Sequence, residues 1–243
     1  MAFNMVCSVV FSVGMMAAMP GTAVAQQYIA DFCADYDNAN PQTTGFWTDV
    51  RRGKDINVDN DCFLNFTGQA GAASDMWITT LGEPDSGPEV LPFECIVLEA
   101  VVVIHKFDNR KAVGLVFDYD PLGGAGIFLG LYDNGNSDGL TFSTFDAKTG
   151  KLTSTLATTF LGSKIKENVP YFLAAEVCND GTNLIGEGFV TDESTFEAEV
   201  DFGSIPLPPG IFAAGAIGLA GQAKSALVNA TVEFFAAFVD SGP

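Results

Sequence analysis

The sequence predicts an all-β protein folded as a two-sheet antiparallel sandwich. Apolar residues recur at every second position over most of the chain, and turn residues interrupt them about every eight to twelve positions. Beyond the first 25 residues no stretch has an apolar stripe at helical spacing. The predicted strands are Met76–Leu81, Cys95–Lys106, Ala112–Asp118, Gly126–Tyr132, Leu140–Phe145, Lys151–Phe160, Tyr171–Val177, Leu184–Thr191, Ala214–Ala220 and Ala226–Val239.

The first 25 residues predict a signal peptide that is removed before folding. They contain no charged side chain and end in Ala23-Val24-Ala25, a small-x-small pattern that fits cleavage after Ala25. Their apolar stretch is broken at Pro20 and is short for a bilayer span. We therefore expect a secreted protein, extracellular or periplasmic, with no membrane insertion after cleavage. Residues 26–243 are expected to form a single domain.

The charge of the chain is strongly acidic. Thirty Asp and Glu residues against eleven Lys and Arg residues give a formal net charge of −19. Such a chain repels phosphate backbones and anionic lipid surfaces, which argues against nucleic acid as a partner. The composition contains no signal for an oligomeric state.

The cysteine content agrees with export. Cys7 belongs to the leader, and the four remaining cysteines are an even number suited to an oxidising compartment. Three pairings are open, and we favour Cys33 with Cys62 and Cys95 with Cys178. Cys95 begins one apolar run and Cys178 ends another, so the two would face each other if those strands are antiparallel neighbours.

The faces of two strands indicate the layering. In the strand that starts at Cys95 both alternating sets are mostly apolar, which predicts a central strand buried on both faces. In the last strand Val228, Ala230, Val232 and Phe234 alternate with polar residues, which predicts one face in the core and one in water. Central and half-exposed antiparallel strands together indicate a jelly-roll sandwich.

Several segments resemble successive strands of the concanavalin A-like and laminin G-like jelly rolls. They are "FECIVLEAVVVI", "AVGLVFDYD", "GIFLGLYDNG", "VPYFLAAEVCNDGTNLIGEGFV" and "GAIGLAGQAKSALVNATVEFF", and the resemblance covers roughly residues 47–238. Tyr171-Phe172 stands where this group favours Trp-Tyr, and Asn229 replaces its common aspartate. The resemblance implies the fold; members include carbohydrate-binding modules, adhesion domains, and glycan hydrolases and lyases.

No catalytic residue is predicted. The resemblance implies that a retaining glucanase would carry Glu-x-Asp-x-x-Glu on one strand, but the closest segment, Asp192 to Glu197, has the wrong spacing. A lyase of this fold would need a Gln-Ile-His strand and a Tyr base; His105 is present, and the Gln is not. We interpret His105 as a hydrogen-bonded structural residue. Carboxylates that converge from distant strands keep the enzyme hypothesis open.

A sugar-binding surface needs aromatic rings that stack on the apolar faces of sugars and polar groups that bind their hydroxyls. Phe dominates the aromatic content of the chain. The candidate ligand-binding residues are Trp47, Trp77, Tyr119 and Tyr132.

The segment "YDNGNSDGL" at residues 132–140 has two interpretations, a calcium loop and a hairpin turn. Amides and carboxylates occupy the early positions of an EF-hand-like pattern, but its twelfth position is Phe145 rather than an acid. The Asn-Gly and Asp-Gly pairs are favoured hairpin residues, so we favour the turn. Calcium remains the one candidate cofactor, and its candidate ligands are Asp133, Asn134, Asn136 and Asp138.

The function predicted from these observations is a secreted, non-catalytic binding domain for carbohydrate or another extracellular ligand. One alternative is a glycan hydrolase or lyase whose acid and base come from separate strands. A second alternative is a structural or adhesive envelope protein.

Overall fold

The computed structural model describes residues 26–35, 47–51, 55–67, 74–81, 91–92, 95–106, 112–120, 123–133, 138–179, 182–192, 197–206, 214–224 and 229–240. A helical turn, α1, spans Phe32–Asp35. The strands in the described ranges are β1 Gln26–Ile29, β2 Trp47–Arg51, β3 Ile56–Val58, β4 Leu64–Phe66, β5 Ser74–Leu81, β6 Leu91–Pro92, β7 Cys95–Ile104, β8 Ala112–Asp120, β9 Ala125–Asp133, β10 Asp138–Asp146, β11 Lys151–Phe160, β12 Pro170–Asn179, β13 Asn183–Asp192, β14 Glu197–Pro206, β15 Ala214–Lys224 and β16 Ala230–Asp240.

These strands form two antiparallel sheets. The first sheet has the order β14-β13-β12-β7-β16-β4-β3, with β1 also paired to β16. The second has the order β11-β10-β9-β8-β15-β5-β2, with β6 paired to β15. Neighbours such as β7 and β16 lie far apart in the chain, which is the crossing connectivity of a jelly roll rather than of a simple meander.

A hydrophobic core fills the space between the sheets. Leu98, Ala100 and Val102 of the first sheet belong to one buried cluster with Leu115 and Leu129 of the second. Their exposed fractions are all zero. Period-two alternation places these side chains on the inner faces of their strands, and burial of this apolar area is the main favourable term in folding.

The second sheet is also apolar on its outer face, which points away from the first sheet. A second buried cluster there includes Met76, Val116, Phe128 and Ala220. The long central strands of this sheet are therefore the ones buried on both faces. The glycine at position 114 permits this dense packing, because a Cβ there would lie 1.9 Å from the Leu129 carbonyl oxygen.

The double burial predicted for the strand beginning at Cys95 is wrong, although its central position is confirmed. That strand, β7, pairs with β12 and β16. Its Ile96 and Leu98 are fully buried, whereas Val97 and Val101 are only half-buried on the outer face. The near-continuous burial predicted there occurs instead in β8, β9 and β15.

The predicted core face of the last strand is correct at Ala230 and Val232 and wrong at Phe234, while Val228 lies outside the described residues. Thr231, predicted to face water, is 5% exposed. Ala230 and Val232 lie in the core, but a register shift between Val232 and Phe234 interrupts the pairing of β16 with β7. Because one extra residue moves the following side chains to the other face, Phe235 enters the core and Phe234 lies outside it, half-buried. Alternation alone assigned Phe234 to the core.

All ten predicted strands are present, with ends that shift by a few residues. The predictions missed β1, α1, the short strands β2, β3, β4 and β6, and the ten-residue strand β14. Short strands carry too few alternations to be detected. In β14 the acidic residues Glu197, Glu199 and Asp201 point outward and alternate with Ala198 and Val200, which face the core. The period-two pattern of this strand was therefore present in the sequence and was overlooked.

The structure contains both disulfides in the pairing favoured from the sequence. Cys33 is joined to Cys62, which ties α1 to the loop between β3 and β4. Cys95 is joined to Cys178, and these residues lie directly opposite each other in the β7–β12 ladder with their Cα atoms 4.0 Å apart. The geometric argument for that pair is confirmed. No helix in the described ranges is long and apolar enough to cross a membrane.

We predict that the double substitution Cys95→Ala/Cys178→Ala lowers the free energy of unfolding by about 2–5 kcal/mol, because the bridge constrains a long loop in the unfolded chain. Its closed loop spans a sequence separation of 83 residues. Urea denaturation followed by intrinsic fluorescence would measure the change. The urea midpoint of wild type reduced with dithiothreitol should fall at least as far as that of the double variant. An unchanged midpoint in the double variant would contradict the prediction.

Candidate functional site

A pocket of about 380 Å³ lies over β9, β10 and β11 at one edge of the second sheet. Leu140 and Phe142 of β10 point into the core between the sheets. Gly139, Thr141 and Ser143 alternate with them and line the pocket, so it opens on the outer face. It adjoins the second hydrophobic cluster, against which Tyr132 and Leu152 pack.

Hydroxyl groups dominate the lining of the pocket. Seven of its ten lining residues are Thr, Ser or Tyr, and each carries both a hydrogen-bond donor and acceptors. The lining residues are Tyr132, Gly139, Thr141, Ser143, Leu152, Thr153, Ser154, Thr155, Thr158 and Phe160. No carboxylate and no imidazole is among them, so the lining is uncharged.

Two bulges in the β10–β11 ladder explain how consecutive residues reach one pocket. In a regular strand only every second side chain points to a given face. The register shifts between Phe142 and Ser143 and again between Thr144 and Phe145. Bulges bend a strand and redirect its side chains, and they gather residues 152–155 along one wall.

The floor of the pocket is hydrogen-bonded within the sheet. The Thr141 hydroxyl donates to the Ala157 carbonyl at 3.0 Å and lies 2.8 Å from the Thr158 hydroxyl. The Ser143 hydroxyl is 3.4 Å from that of Thr141. These contacts hold the polar atoms in fixed directions, while Ser154 and Thr155 on the wall are exposed to solvent.

Two aromatic side chains lie on opposite sides of the pocket. Tyr132 of β9 is half-buried, and Phe160 at the end of β11 is 63% exposed, the largest exposure of a big apolar side chain in the described ranges. Phe160 lines the pocket, so its exposed ring is available for contact with a ligand there. Rings beside an uncharged hydroxyl lining suit a ligand with both apolar and hydroxylated faces.

Next to the pocket, two buried carboxyl groups face each other across the β9–β10 hairpin. Asp133 and Asp138 are paired in register, and each is 5% exposed. Their side chains are joined by a hydrogen bond, and the Asp138 carboxylate also accepts from the Ile165 amide. Burial raises the pKa of Asp138, and the negative charge of Asp133 adds to the rise, while the Ile165 amide and Lys164 oppose it.

Of the four aromatic residues proposed as ligand contacts, Tyr132 is the one that lines the pocket. Trp47 is 1% exposed, packs against Phe235 with ring centroids 5.2 Å apart, and donates its indole N–H to the Tyr28 hydroxyl at 3.1 Å. Tyr28 is itself held by Asp35 at 2.6 Å. Trp47 thus anchors the N-terminal strand to the core, and its ring has no face left for a ligand.

The other two aromatic candidates are also buried. Trp77 is fully buried and donates its indole N–H to the Asp55 carboxylate at 3.2 Å. Tyr119 is 5% exposed and stacks on Phe145 with ring centroids 6.1 Å apart, inside the second cluster. Large aromatic side chains bury more apolar area than any other residues, so the core competes with a binding site for them.

The candidate calcium ligands are only partly described. Asn134 and Asn136 lie outside the described residues. Asp133 and Asp138 lie opposite each other in the β9–β10 ladder, and the Asp138 carboxylate accepts from the Ile165 amide. A second group, Cys95, Glu176 and Cys178, brings three metal-ligating atoms within 4.8 Å, but the two sulfurs are joined as a disulfide and cannot act as thiolate ligands.

His105 occupies a structural position. One ring nitrogen lies 2.9 Å from the Asn168 side-chain oxygen, and the other lies 2.7 Å from the Thr231 hydroxyl. The Thr231 hydroxyl in turn donates to Asn65 at 2.8 Å. This chain ties the end of β7 to β4 and β16, in agreement with the interpretation of His105 as a hydrogen-bonded residue.

Sequence reasoning missed Phe160 and the hydroxyl residues of the pocket. A signal was available in "TSTLATT" at residues 153–159, a strand in which hydroxyl side chains occupy both alternating sets. A strand with polar residues on both faces has an edge position or lines a solvent-filled surface. The bulges that direct these side chains into one pocket leave no mark in the residue pattern.

Solved structures of similar fold include lectins and GH43 glycoside hydrolases. The fold is the concanavalin A-like jelly roll. No protein-family model matches the sequence, and no characterised protein matches it at the level of sequence.

Three of these structures show the extent of the similarity. Lectin I from Ulex europaeus, in complex with the methyl glycoside of α-L-fucose, has a TM-score of 0.55 at 7% identity, over 89% of this chain and 98% of the lectin. Peanut lectin with a nine-residue peptide has a TM-score of 0.52 at 8% identity, over 89% and 97%. An engineered GH43 glycoside hydrolase with endo-xylanase and exo-arabinofuranosidase activity has a TM-score of 0.58 at 10% identity, over 94% of this chain.

The share of each neighbour that is covered differs between the two groups. This chain spans only 44% of the engineered hydrolase and 25% of a bifunctional enzyme from Bacteroides eggerthii. By contrast, it spans almost the whole length of each lectin. The described fold therefore corresponds to an entire lectin chain and to a minor part of each hydrolase chain.

We predict that Asp138→Asn raises the thermal midpoint at about pH 7 and has little effect at about pH 3, where the carboxyl is protonated in wild type. The pKa of Asp138 in the folded protein lies above its usual value, because burial disfavours the ionised carboxylate. The stability of wild type therefore falls as the pH rises from the usual pKa of the group through its folded-state pKa. Asparagine can still accept from the Ile165 amide while it removes the repulsion with Asp133.

Differential scanning calorimetry of both proteins across this pH range would measure the effect. Asp146→Asn is a suitable control, because Asp146 is the half-buried last residue of β10 and accepts from the amides of Lys148 and Thr149. A lower midpoint for Asp138→Asn at neutral pH would show that the ionised carboxylate stabilises the hairpin, contrary to the prediction.

Proposed function

We propose that this protein binds carbohydrate without transforming it, through the pocket over β9, β10 and β11. The observation that carries the proposal is the lining: hydroxyl side chains held in fixed directions, with Tyr132 and the exposed Phe160 beside them. A sugar ring presents an apolar face that stacks on such aromatic rings and hydroxyls that exchange hydrogen bonds with Thr and Ser.

The absence of charged groups from the lining favours binding over hydrolysis. Glycoside hydrolysis requires two carboxyl groups that flank the scissile bond, about 5–10 Å apart. The lining residues include none, and the nearby pair of Asp133 and Asp138 is buried in mutual contact. Neutral glycans suit an uncharged pocket on an acidic protein, whereas sulfated or uronic-acid polymers would be repelled.

We predict that Phe160→Ala weakens glycan binding about fivefold, because it removes a stacking surface worth roughly 1 kcal/mol. Tyr132→Ala should weaken it similarly. Thr155→Val, which keeps the shape and removes one hydroxyl, should weaken it about two- to tenfold. The matched control is Phe189→Ala, because Phe189 is 36% exposed on the first sheet, away from the pocket.

An array of neutral glycans, probed with and without calcium, would identify ligands, and titration calorimetry on each hit would measure the variants. Mass spectrometry of the hits after incubation tests the catalytic alternative. Unchanged glycan affinity in Phe160→Ala would contradict the assignment of the pocket. Glycans that are shortened by wild type but not by a heat-denatured sample would establish a hydrolase or lyase instead. A calcium requirement that Asp138→Asn removes would support the hairpin as the metal site.

The proposal includes export of the chain. Its support is the apolar leader, the two disulfides and the position of β1, which begins at Gln26 and pairs with Val239 of β16. Disulfides form and persist outside the reducing cytosol. Cleavage after Ala25 would leave β1 complete, so the mature chain would keep all of its described strands.

We predict that protein recovered from the periplasm or the medium begins at Gln26. N-terminal sequencing and intact mass would measure this. Ala25→Leu should leave the leader attached, because the position before the cleaved bond requires a small side chain. A mature protein that retains Met1 would contradict the predicted leader.

A further inference from the structure

The outer face of β12, β13 and β14 in the first sheet carries a concentration of carboxylates. We call Glu176, Glu187, Glu197, Glu199 and Asp201 the acidic face. All five lie on the side of their strands that points away from the core, and all but the half-buried Glu176 are exposed. This face belongs to the sheet opposite the one that holds the sugar pocket.

The strand register places three of these carboxylates in one row. Glu176 is directly opposite Glu187 in the β12–β13 ladder, and Glu187 is directly opposite Asp201 in the β13–β14 ladder. Like charges directly opposite each other destabilise a sheet. The row therefore opposes folding unless positive charge from outside the sheet compensates for it.

Apolar side chains lie among the carboxylates on the same face. Ile185 is 45% exposed and Phe189 is 36% exposed. The rings of Phe172 and Phe189 are 5.7 Å apart and tilted by 48°. Exposed rings beside carboxylates can bind a guanidinium group by stacking and ion pairing together, and they can cover the apolar stem of a long cationic side chain.

No positive side chain of these strands neutralises the row. The sequence contains no Lys, Arg or His between Lys166 and Lys224, a segment that includes β12, β13 and β14 entirely. A single metal ion does not fit either. Within the described ranges no three carboxylate oxygens come within 4.8 Å of one another, so these acids are spread too widely to share one ion.

We propose that the acidic face is a docking surface for a protein partner that presents an Arg- and Lys-rich surface. The flat arrangement of carboxylates over three strands matches several separate cationic side chains rather than one small ligand. The apolar residues supply the desolvated contacts, and the carboxylates supply charge complementarity and fast association. A second copy of this chain is disfavoured as the occupant, because two acidic faces repel each other.

The test compares two triple variants that change the net charge equally. Glu187→Gln/Glu197→Gln/Glu199→Gln removes three of the five charges of the acidic face and spares Asp201, whose carboxylate accepts from the Gly203 amide at the β14 bulge. The control, Asp31→Asn/Asp61→Asn/Glu167→Gln, removes three exposed acids from other parts of the molecule. The probe is a fluorescein-labelled oligo-arginine peptide, with an oligo-glutamate peptide as the negative probe, in about 0.15 M salt.

Fluorescence anisotropy should show that the face variant raises the Kd for oligo-arginine about tenfold or more, while the control triple changes it less than about threefold. Phe189→Ala should also weaken binding, and Phe160→Ala should not, which separates this surface from the sugar pocket. Equal weakening by both triples would reduce the effect to net charge and overturn the proposal. So would failure of wild type to bind the peptide, or a wild-type dimer in light scattering that the face variant abolishes.

Discussion

The alternation of side chains across each strand is the constraint on which this structure depends. It directs Leu98, Ala100 and Val102 of β7 into the core between the sheets, together with Leu115 and Leu129 of the second sheet. Because side chains alternate with a period of two residues, the extra residue of a bulge moves every following side chain of that strand to the opposite face. The bulge in β16 places Phe235 rather than Phe234 in the core, and the bulges between β10 and β11 create the hydroxyl wall of the pocket.

The two outward surfaces of the sandwich have opposite chemistry. The edge of the second sheet carries an uncharged, hydroxyl-rich pocket with one exposed ring, whereas the first sheet carries a row of carboxylates with apolar neighbours. A neutral sugar and a cationic protein could therefore bind at once without competing for the same residues. The strong net negative charge would attract a cationic partner over distance and would have almost no effect on the binding of a neutral sugar.

The aromatic residues show where reasoning from the sequence succeeds and where it fails. Residue type alone proposed Trp47, Trp77, Tyr119 and Tyr132 equally, and the structure places Tyr132 at the pocket and the other three in the core. The sequence predicts a strand that ends at Phe160 but no site there, because an exposed Phe cannot be recognised without knowing the face on which it lies. The Cys95–Cys178 bridge is easier to predict than the binding residues, since the ends of two antiparallel strands restrict which cysteines can meet.

The sequence by itself determined the all-β class, ten of the strands and the acidity of the chain, and it favoured one of three cysteine pairings. Each of these follows from local pattern or composition, which a single strand or a count reveals. Only the tertiary structure decided the site, because bulges and the order of strands in the sheets bring residues 132, 141, 155 and 160 together, and register alone aligns Glu176 with Glu187 and Asp201. Those juxtapositions arise from pairing between distant segments, which local alternation does not encode.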